Sequence, residues 1–320
     1  MGVEWPRVNR ILCELDYGRR PILVCGHARS GTSWILRTLG RAPEALVYPE
    51  PFLSTCGETP ATLAGYVPTG ASAPGVAEQL DAAFAGLITT HRHWRAKSPK
   101  LARRILGGFR VVIKEVATLM YIEWVAERYD PVVLIPVRHP CPVVLSQLDR
   151  GNYAPGWLNA MLGNERLMAD HLEPFRAIME GATSPLEATA AQWAGLNRVM
   201  ATQLERHPDW LVVPYEPLAR DPIGGFRALY DLVGLRWTRG VQRYVTRNTT
   251  TPDDDRYTTT RVSADRIAAW RQTMTVDEVA RVRAIVEPFD LPWYRADEGA
   301  FDKDYSAGPA GAGGAVRRTS

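Results

Sequence analysis

The feature that most restricts this chain is a set of short runs that are apolar at every position rather than at alternate ones. Four of them, Pro21–Cys25, Phe109–Ile113, Pro131–Val137 and Trp210–Pro214, are filled with Val, Ile and Leu, and a weaker fifth covers Ala45–Tyr48. A strand that is apolar throughout is covered on both faces, which is the condition of a parallel sheet packed between helices. Helix-like stretches fall between the runs: Thr32–Leu39, Thr118–Tyr129, Pro142–Leu148, the long amphipathic Leu186–Arg206, and Ile223–Val233 with Gly234 placed to end it. This alternation predicts an α/β fold, a P-loop-like parallel sheet of about five strands flanked by helices, with ligands at the carboxyl ends of the strands. Two stretches, about 54–107 and 150–185, break the rhythm and are too long for plain connections. They read as helical insertions that close over a substrate, or else as a satellite helical subdomain. The expected organisation is one domain over residues 1–305, with the Gly- and Ala-rich tail 306–320 disordered.

Composition narrows the function classes. The formal net charge of +3 is too small to announce nucleic-acid binding, though it suits an anionic ligand. Lysine occurs only at Lys97, Lys100, Lys114 and Lys303, every other cation being arginine. That bias reads as that of a GC-rich bacterial genome. It makes Lys114, which closes an apolar run, worth attention. The four cysteines, Cys13, Cys25, Cys56 and Cys141, form no Cys-x-x-Cys pair, so no metal site is expected and free thiols in a reducing compartment are the simpler reading. No signal core and no stretch of 18 apolar residues is present, which predicts a cytoplasmic protein without a membrane span.

The chemistry begins at Gly26-His-Ala-Arg-Ser-Gly-Thr-Ser-Trp34, between the first strand and its helix. Small residues there let successive backbone N–H groups converge on an anion, and the helix adds the positive end of its dipole. Gly26 and Gly31 have Walker spacing, but Thr32 and Ser33 follow Gly31 where a lysine belongs. A triphosphate would be poorly held without that lysine. The one cation of the loop is Arg29 instead. A second motif, Val-Leu-Ile-Pro-Val-Arg138-His-Pro-Cys-Pro-Val-Val-Leu-Ser146, sets Arg138 at a strand end and Ser146 eight residues on. Pro140 and Pro142 start a helix, so that Ser146 falls about one turn in and both side chains point at one dianion.

Together these motifs resemble the sulfotransferases that use 3′-phosphoadenosine 5′-phosphosulfate (PAPS). Ala28-Arg-Ser-Gly-Thr-Ser-Trp34 is similar to their phosphosulfate loop, in the arginine form of tyrosylprotein and many bacterial members, and the Arg138 to Ser146 segment to their 3′-phosphate segment. A third match is Tyr215-Glu-Pro-Leu followed by Asp221-Pro and a helix ending in Leu-Val-Gly-Leu235, and a weaker fourth surrounds Trp270. The resemblance implies that Arg29, Ser30, Gly31, Thr32, Ser33 and Trp34 hold the donor, with Trp34 either stacking the adenine or packing in the core. It implies that Arg138 and Ser146 grip the 3′-phosphate and that Tyr215 lies near the adenine, while Glu216 braces local backbone or an arginine. Glu50, in Tyr48-Pro-Glu-Pro51, is the expected base, with pairing to Arg29 or Lys114 as the alternative. Glu115 is the backup, because it stands where the cytosolic branch has a histidine. Lys114 is the expected second cation on the sulfuryl oxygens, or else an exposed edge lysine. His27 lines the donor site and His139 is structural. His91, His93 and Trp94 read as a solvated basic face, and the run Pro252–Asp255 as a turn. The Arg-Lys-Gly phrase of the cytosolic branch is missing, with Arg256, Arg261 and Arg266 as its possible replacements.

The expected function is therefore sulfuryl transfer from PAPS, leaving PAP and needing no metal, to a hydroxyl (less readily an amine) of an acceptor: a small metabolite, sugar or lipid of secondary metabolism. The two insertions would form the acceptor lid. The rivals are a P-loop kinase for a small molecule or nucleotide, and a non-catalytic module that binds PAP or another nucleotide. Neither acceptor identity nor oligomeric state is written in the sequence.

Overall fold

The computed structural model describes residues 20–52, 65–68, 70–71, 80–81, 83–84, 109–149, 155–250, 265–294 and 317–318. Five parallel strands form the sheet: β1 Ile22–Val24, β2 Ala45–Pro49, β3 Arg110–Lys114, β4 Val132–Val137 and β5 Leu211–Pro214, in the order β2-β3-β1-β4-β5. The pair Arg317–Arg318 adds an antiparallel bridge on the outer side of β5. The five apolar runs are these five strands. The first loses a residue at each end, and the second ends one residue later, which makes Lys114 the last residue of β3.

Continuous hydrophobicity is explained by two cores, one on each face. Leu23, Val111, Ile113, Val133, Ile135 and Val212 belong to one, while Ile22, Val24, Val112, Leu134, Leu211 and Val213 belong to the other. The period of two is present, but both phases are buried. Pro136 is tolerated inside β4 because β1 pairs with β4 only as far as Leu134, so that ladder has ended before the missing N–H is needed.

The helices start and stop on local signals. Helix α1 (Thr32–Leu39) follows left-handed Gly31, and α2 (Ile122–Tyr129) follows a 3₁₀ turn at Ala117–Tyr121. Helix α3 spans Pro140–Leu148, two residues earlier than expected, because Pro140 sits at its first position and His139 caps it by accepting the Cys141 N–H at 3.2 Å. The residues after it, 155–181, are helical with a π-helical turn at Met168–Leu172. Their Leu158, Met161, Leu167, Met168, Leu172 and Met179 join the larger core, so this insertion is packed into the body and is no satellite. The long α4 (Pro185–Arg206) opens with a Ser184–Glu187 capping box, and α5 (Pro222–Val233) is capped by Asp221 and ended by Gly234 at φ 67°. The buried Arg110 donates to the carbonyls of Arg20 and Val233, placing a cation at the carboxyl end of α5. Most of the first insertion, including His91, His93 and Trp94, lies outside the described residues, as do the tail 306–316, the Pro252–Asp255 run, Arg256, Arg261 and the Arg266 side chain.

Candidate active site

The site lies along the carboxyl edge of the sheet, where the turns after β1, β2, β3, β4 and β5 meet. The turn after β1 is shaped by close approach. A Cβ on Gly26 would stand 2.7 Å from the Pro136 carbonyl oxygen, and one on Gly31, at φ 90°, would stand 2.8 Å from Cδ2 of Tyr215. Only glycine fits the second position on both counts. Within the turn the Ser30 N–H donates to the His27 carbonyl at 3.2 Å, and Arg29 takes a left-handed φ of 72°. The N–H groups of Gly31, Thr32 and Ser33 then head α1, where helix geometry supplies no intrahelical acceptor.

Arg29 joins this turn to the next one. Its Nε donates to Ser146 Oγ at 2.8 Å, and its carbonyl accepts from Arg138 Nη1 at 3.0 Å. The Arg138 guanidinium lies over the Tyr215 ring, 4.1 Å from its centroid, and the same ring abuts Gly31. Arg29, Gly31, Arg138, Ser146 and Tyr215, drawn from three strand ends, are thus one contiguous cluster. Arg138 Nε is buried without a hydrogen-bond partner in the protein, a donor suited to an anion. Ser146 is at the seventh position of α3, nearly two turns in rather than one, since the helix begins at Pro140.

Trp34 is 8% exposed and packs edge-on against Tyr215 and Phe226, with ring centroids 5.8 and 4.9 Å away. Of its two expected roles the structure shows core packing. Ser30 and Thr32 are buried with the turn, and Ser33 is half-buried. His27 is 2% exposed, and its Nδ1 bonds to the Ala28 carbonyl at 2.7 Å. Burial pulls its pKa down to about 4, so the imidazole is neutral. His139 is structural, stacked on Trp270 at 4.8 Å.

A second cluster stands at the ends of β2 and β3. Lys114 Nζ is ion-paired to Glu50 Oε1, and the Glu50 N–H donates to the Lys114 carbonyl at 2.6 Å. The Lys114 side chain is 7% exposed and that of Glu50 33%, so Lys114 is not an exposed edge lysine and Glu50 is the member open to solvent. Glu50 has φ 50°. Four described non-glycine residues have positive φ, and Asp130 and Asp290 are helix ends; the other two are Arg29 and Glu50. Left-handed non-glycine backbone away from helix ends is therefore confined, among described residues, to Arg29 and Glu50. Glu115 is fully buried and accepts N–H groups from Phe52 at 2.8 Å and Ala117 at 3.3 Å.

Free Cys25 and Cys141 are buried, which pushes both thiols up to about 12 and leaves them inert. Among the described residues no cluster of His, Cys, Asp or Glu is arranged to hold a metal, and no helix is long and apolar enough to cross a membrane.

A family model described as "Sulfotransferase family" matches residues 21–239, which takes in both clusters. This chain belongs to the sulfotransferase family. As a sulfotransferase it is also similar to solved structures of low identity. Sulfotransferase STF9 from Mycobacterium avium is 14% identical, with a TM-score of 0.42 over 87% of this chain and 79% of the other. The sulfotransferase domain of the Synechococcus PCC 7002 olefin synthase is 16% identical, with a TM-score of 0.40 over 83% and 94%. Mouse sulfotransferase SULT7A1 complexed with PAP is 12% identical, with a TM-score of 0.42 over 86% and 87%. Comparison with curated proteins finds no match.

Sequence reasoning missed Arg110, which looks like any residue at a strand start. It also read Glu115 only as a spare base, because its amide partners come from residues distant in sequence or turned back on themselves.

Proposed function

We propose that this sulfotransferase moves a sulfuryl group from PAPS to a hydroxyl of a small acceptor, with Glu50 as the base. The observation that carries the reading is the contiguity of Arg29 with Ser146 and Arg138, through bonds of 2.8 and 3.0 Å. One doubly phosphorylated nucleotide spans such a cluster, its 5′-phosphate on the Gly31, Thr32 and Ser33 amides and its 3′-phosphate on Arg138 and Ser146. The ring of Tyr215, already under a guanidinium, forms the wall beside the adenosine. A kinase reading lacks this support, since the buried Arg138 Nε calls for a second anion that ATP does not carry at that end.

The reaction is an in-line displacement. The acceptor hydroxyl gives its proton to a Glu50 oxygen as its own oxygen bonds to sulfur. The bond from sulfur to the bridging phosphate oxygen breaks, and the electron pair stays on the leaving phosphate. Arg29 and the loop amides stabilise that growing charge, which is where a preorganised electrostatic site contributes most. Lys114 anchors the Glu50 carboxylate and serves as the second cation for the sulfuryl oxygens. Positioning does the remainder, as in phosphoryl transfer.

The test is a screen of hydroxyl acceptors with radiolabelled PAPS, with Glu50→Gln alongside and calorimetric titration of PAP. Glu50→Gln is expected to lower turnover by about 10²–10⁴-fold, the usual worth of a general base, with PAP affinity unchanged. Full turnover in that variant would remove Glu50 from the mechanism. Failure of the wild-type protein to bind PAP more tightly than AMP would remove the 3′-phosphate site.

A further inference from the structure

Two strands end in the same pattern, a residue of the site followed at once by a deeply buried glutamate. Lys114 is followed by Glu115 at the end of β3, and Tyr215 by Glu216 just past β5; the glutamates are 0% and 2% exposed. Carboxyl groups at that depth are retained only with partners. Each reaches across to the turn of the adjacent strand. Glu115 Oε2 accepts the N–H of Phe52 at 2.8 Å, two residues beyond Glu50, while its Oε1 accepts the Ala117 N–H at 3.3 Å. Glu216 Oε1 accepts the N–H of His139 at 2.9 Å, the residue after Arg138. The strand order makes both reaches possible, since β3 lies beside β2 and β5 beside β4.

We propose that Glu115 and Glu216 are positioning residues of the sulfuryl-transfer site, Glu115 fixing the turn that carries Glu50 and Glu216 fixing the turn that carries Arg138. The proposal rests on the PAPS reading above. Glu50 has a left-handed backbone that nothing in its own type favours, and it is held on both sides: its own N–H on the Lys114 carbonyl and the Phe52 N–H on Glu115. Arg138 is held twice by one dipeptide, its guanidinium over the Tyr215 ring and its following amide on Glu216.

The two braces differ in one respect that makes them separable. Both oxygens of Glu115 are engaged by donors, so Glu115→Gln sets an NH₂ donor against a backbone N–H. Glu216 uses one oxygen, and Oε2 is buried with no partner, so the amide of Glu216→Gln keeps the bond that matters. Burial also pushes the Glu216 carboxyl up, against the His139 amide and the Arg138 charge, so a neutral replacement is a small change there.

The experiment compares the full-length protein with Glu115→Ala, Glu115→Gln, Glu216→Ala and Glu216→Gln. It uses hydrogen exchange of the 50–52, 115–117 and 138–140 segments, PAP titration, and thermal melting as the check on folding. Glu115→Ala, which removes both acceptors, is expected to speed exchange across 50–52 by about tenfold and to lower PAPS turnover, with PAP affinity held within about twofold. Glu216→Ala is expected to weaken PAP by about tenfold and to speed exchange across 138–140, and Glu216→Gln to recover most of both. Unchanged exchange at 50–52 in Glu115→Ala, or Glu216→Gln as impaired as Glu216→Ala, overturns the proposal. If an alanine variant does not fold, the glutamine pair decides: Glu115→Gln keeps one of its two bonds and speeds exchange at 50–52 or 115–117, while Glu216→Gln leaves 138–140 near wild type. Exchange needs no nucleotide, so a wild type that fails to bind PAP would sink the PAPS reading while the bracing is still measured.

Discussion

The half of the carboxyl edge built on β1, β4 and β5, proposed above as the donor half, and the half built on β2 and β3, proposed to face the acceptor, are held by different means. In the donor half every group is locked by a near neighbour: Gly31 under Tyr215, Tyr215 under Arg138, Arg138 on the Arg29 carbonyl, Arg29 on Ser146. In the β2–β3 half one ion pair, Lys114 with Glu50, stands beside a long insertion whose described residues both enter the core, as Leu80 and Ala83 do, and bond to the body nearer the surface. Asp81 accepts two bonds from Arg128 at 3.0 Å and one from the Tyr129 hydroxyl at 2.6 Å, and Trp124 Nε1 donates to the Ala71 carbonyl at 2.9 Å. The difference teaches that the cluster proposed to hold the nucleotide is written into short motifs, because each contact there is made by backbone or by a residue at fixed offset from a strand end. On the proposed reading acceptor recognition falls to the insertion, whose described hydrogen bonds to α2 are made with α2 side chains at or near the surface.

The largest break of this contrast is expected from Gly31→Ala. The methyl group meets the Tyr215 ring and forces a left-handed alanine, costs that together reach about 3–4 kcal/mol. PAP titration and thermal melting should both register it, and a variant that binds PAP normally would contradict the locked donor half. Next comes the pH dependence carried by His27. Its folded pKa of about 4 lies below the unfolded value, so the unfolded chain binds the extra proton. Stability is therefore full above the unfolded pKa and falls as pH drops from about 6.5 toward 4, by at most about 3 kcal/mol. Denaturant titrations across that window should show a shallower slope in His27→Gln; equal slopes would mean the imidazole is charged in the fold. The smallest effect is assigned to Arg128→Ala. Its pair with Asp81 is nearly half exposed on both sides, so the loss should stay below about 1 kcal/mol. PAP affinity should not change, while the acceptor KM rises; an equal change in both would erase the division between the halves.

The same division explains what was legible in the sequence. All five strands, α1, the long α4 and α5 with its Gly234 end were readable, because continuous Val, Ile and Leu runs and end signals are local. Arg29, Arg138, Ser146 and Tyr215 were brought together as the motifs implied. Trp34 was ambiguous from the sequence, since a tryptophan in the first turn of a helix serves equally as core or as platform, and its packing partner Phe226 comes from far along the chain. Residues 155–181 looked aperiodic because a π-helical turn at Met168–Leu172 shifts the phase of the apolar positions, though their burial is complete enough to join the main core. Glu115 and Glu216 carried no periodic signal at all. A buried glutamate is recognised by the amides it receives, and those come from the neighbouring strand's turn.

The order β2-β3-β1-β4-β5 has an evolutionary consequence. The long connection runs between β2 and β3, on one flank of the sheet, whereas Arg29, Arg138, Ser146 and Tyr215 come from β1 and the strands on its other side. On the proposed reading, descendants of this chain are free to lengthen, shorten or exchange that connection without shifting the register of any ladder that carries that cluster. Substrate range and cosubstrate fidelity can then drift at separate rates within one gene.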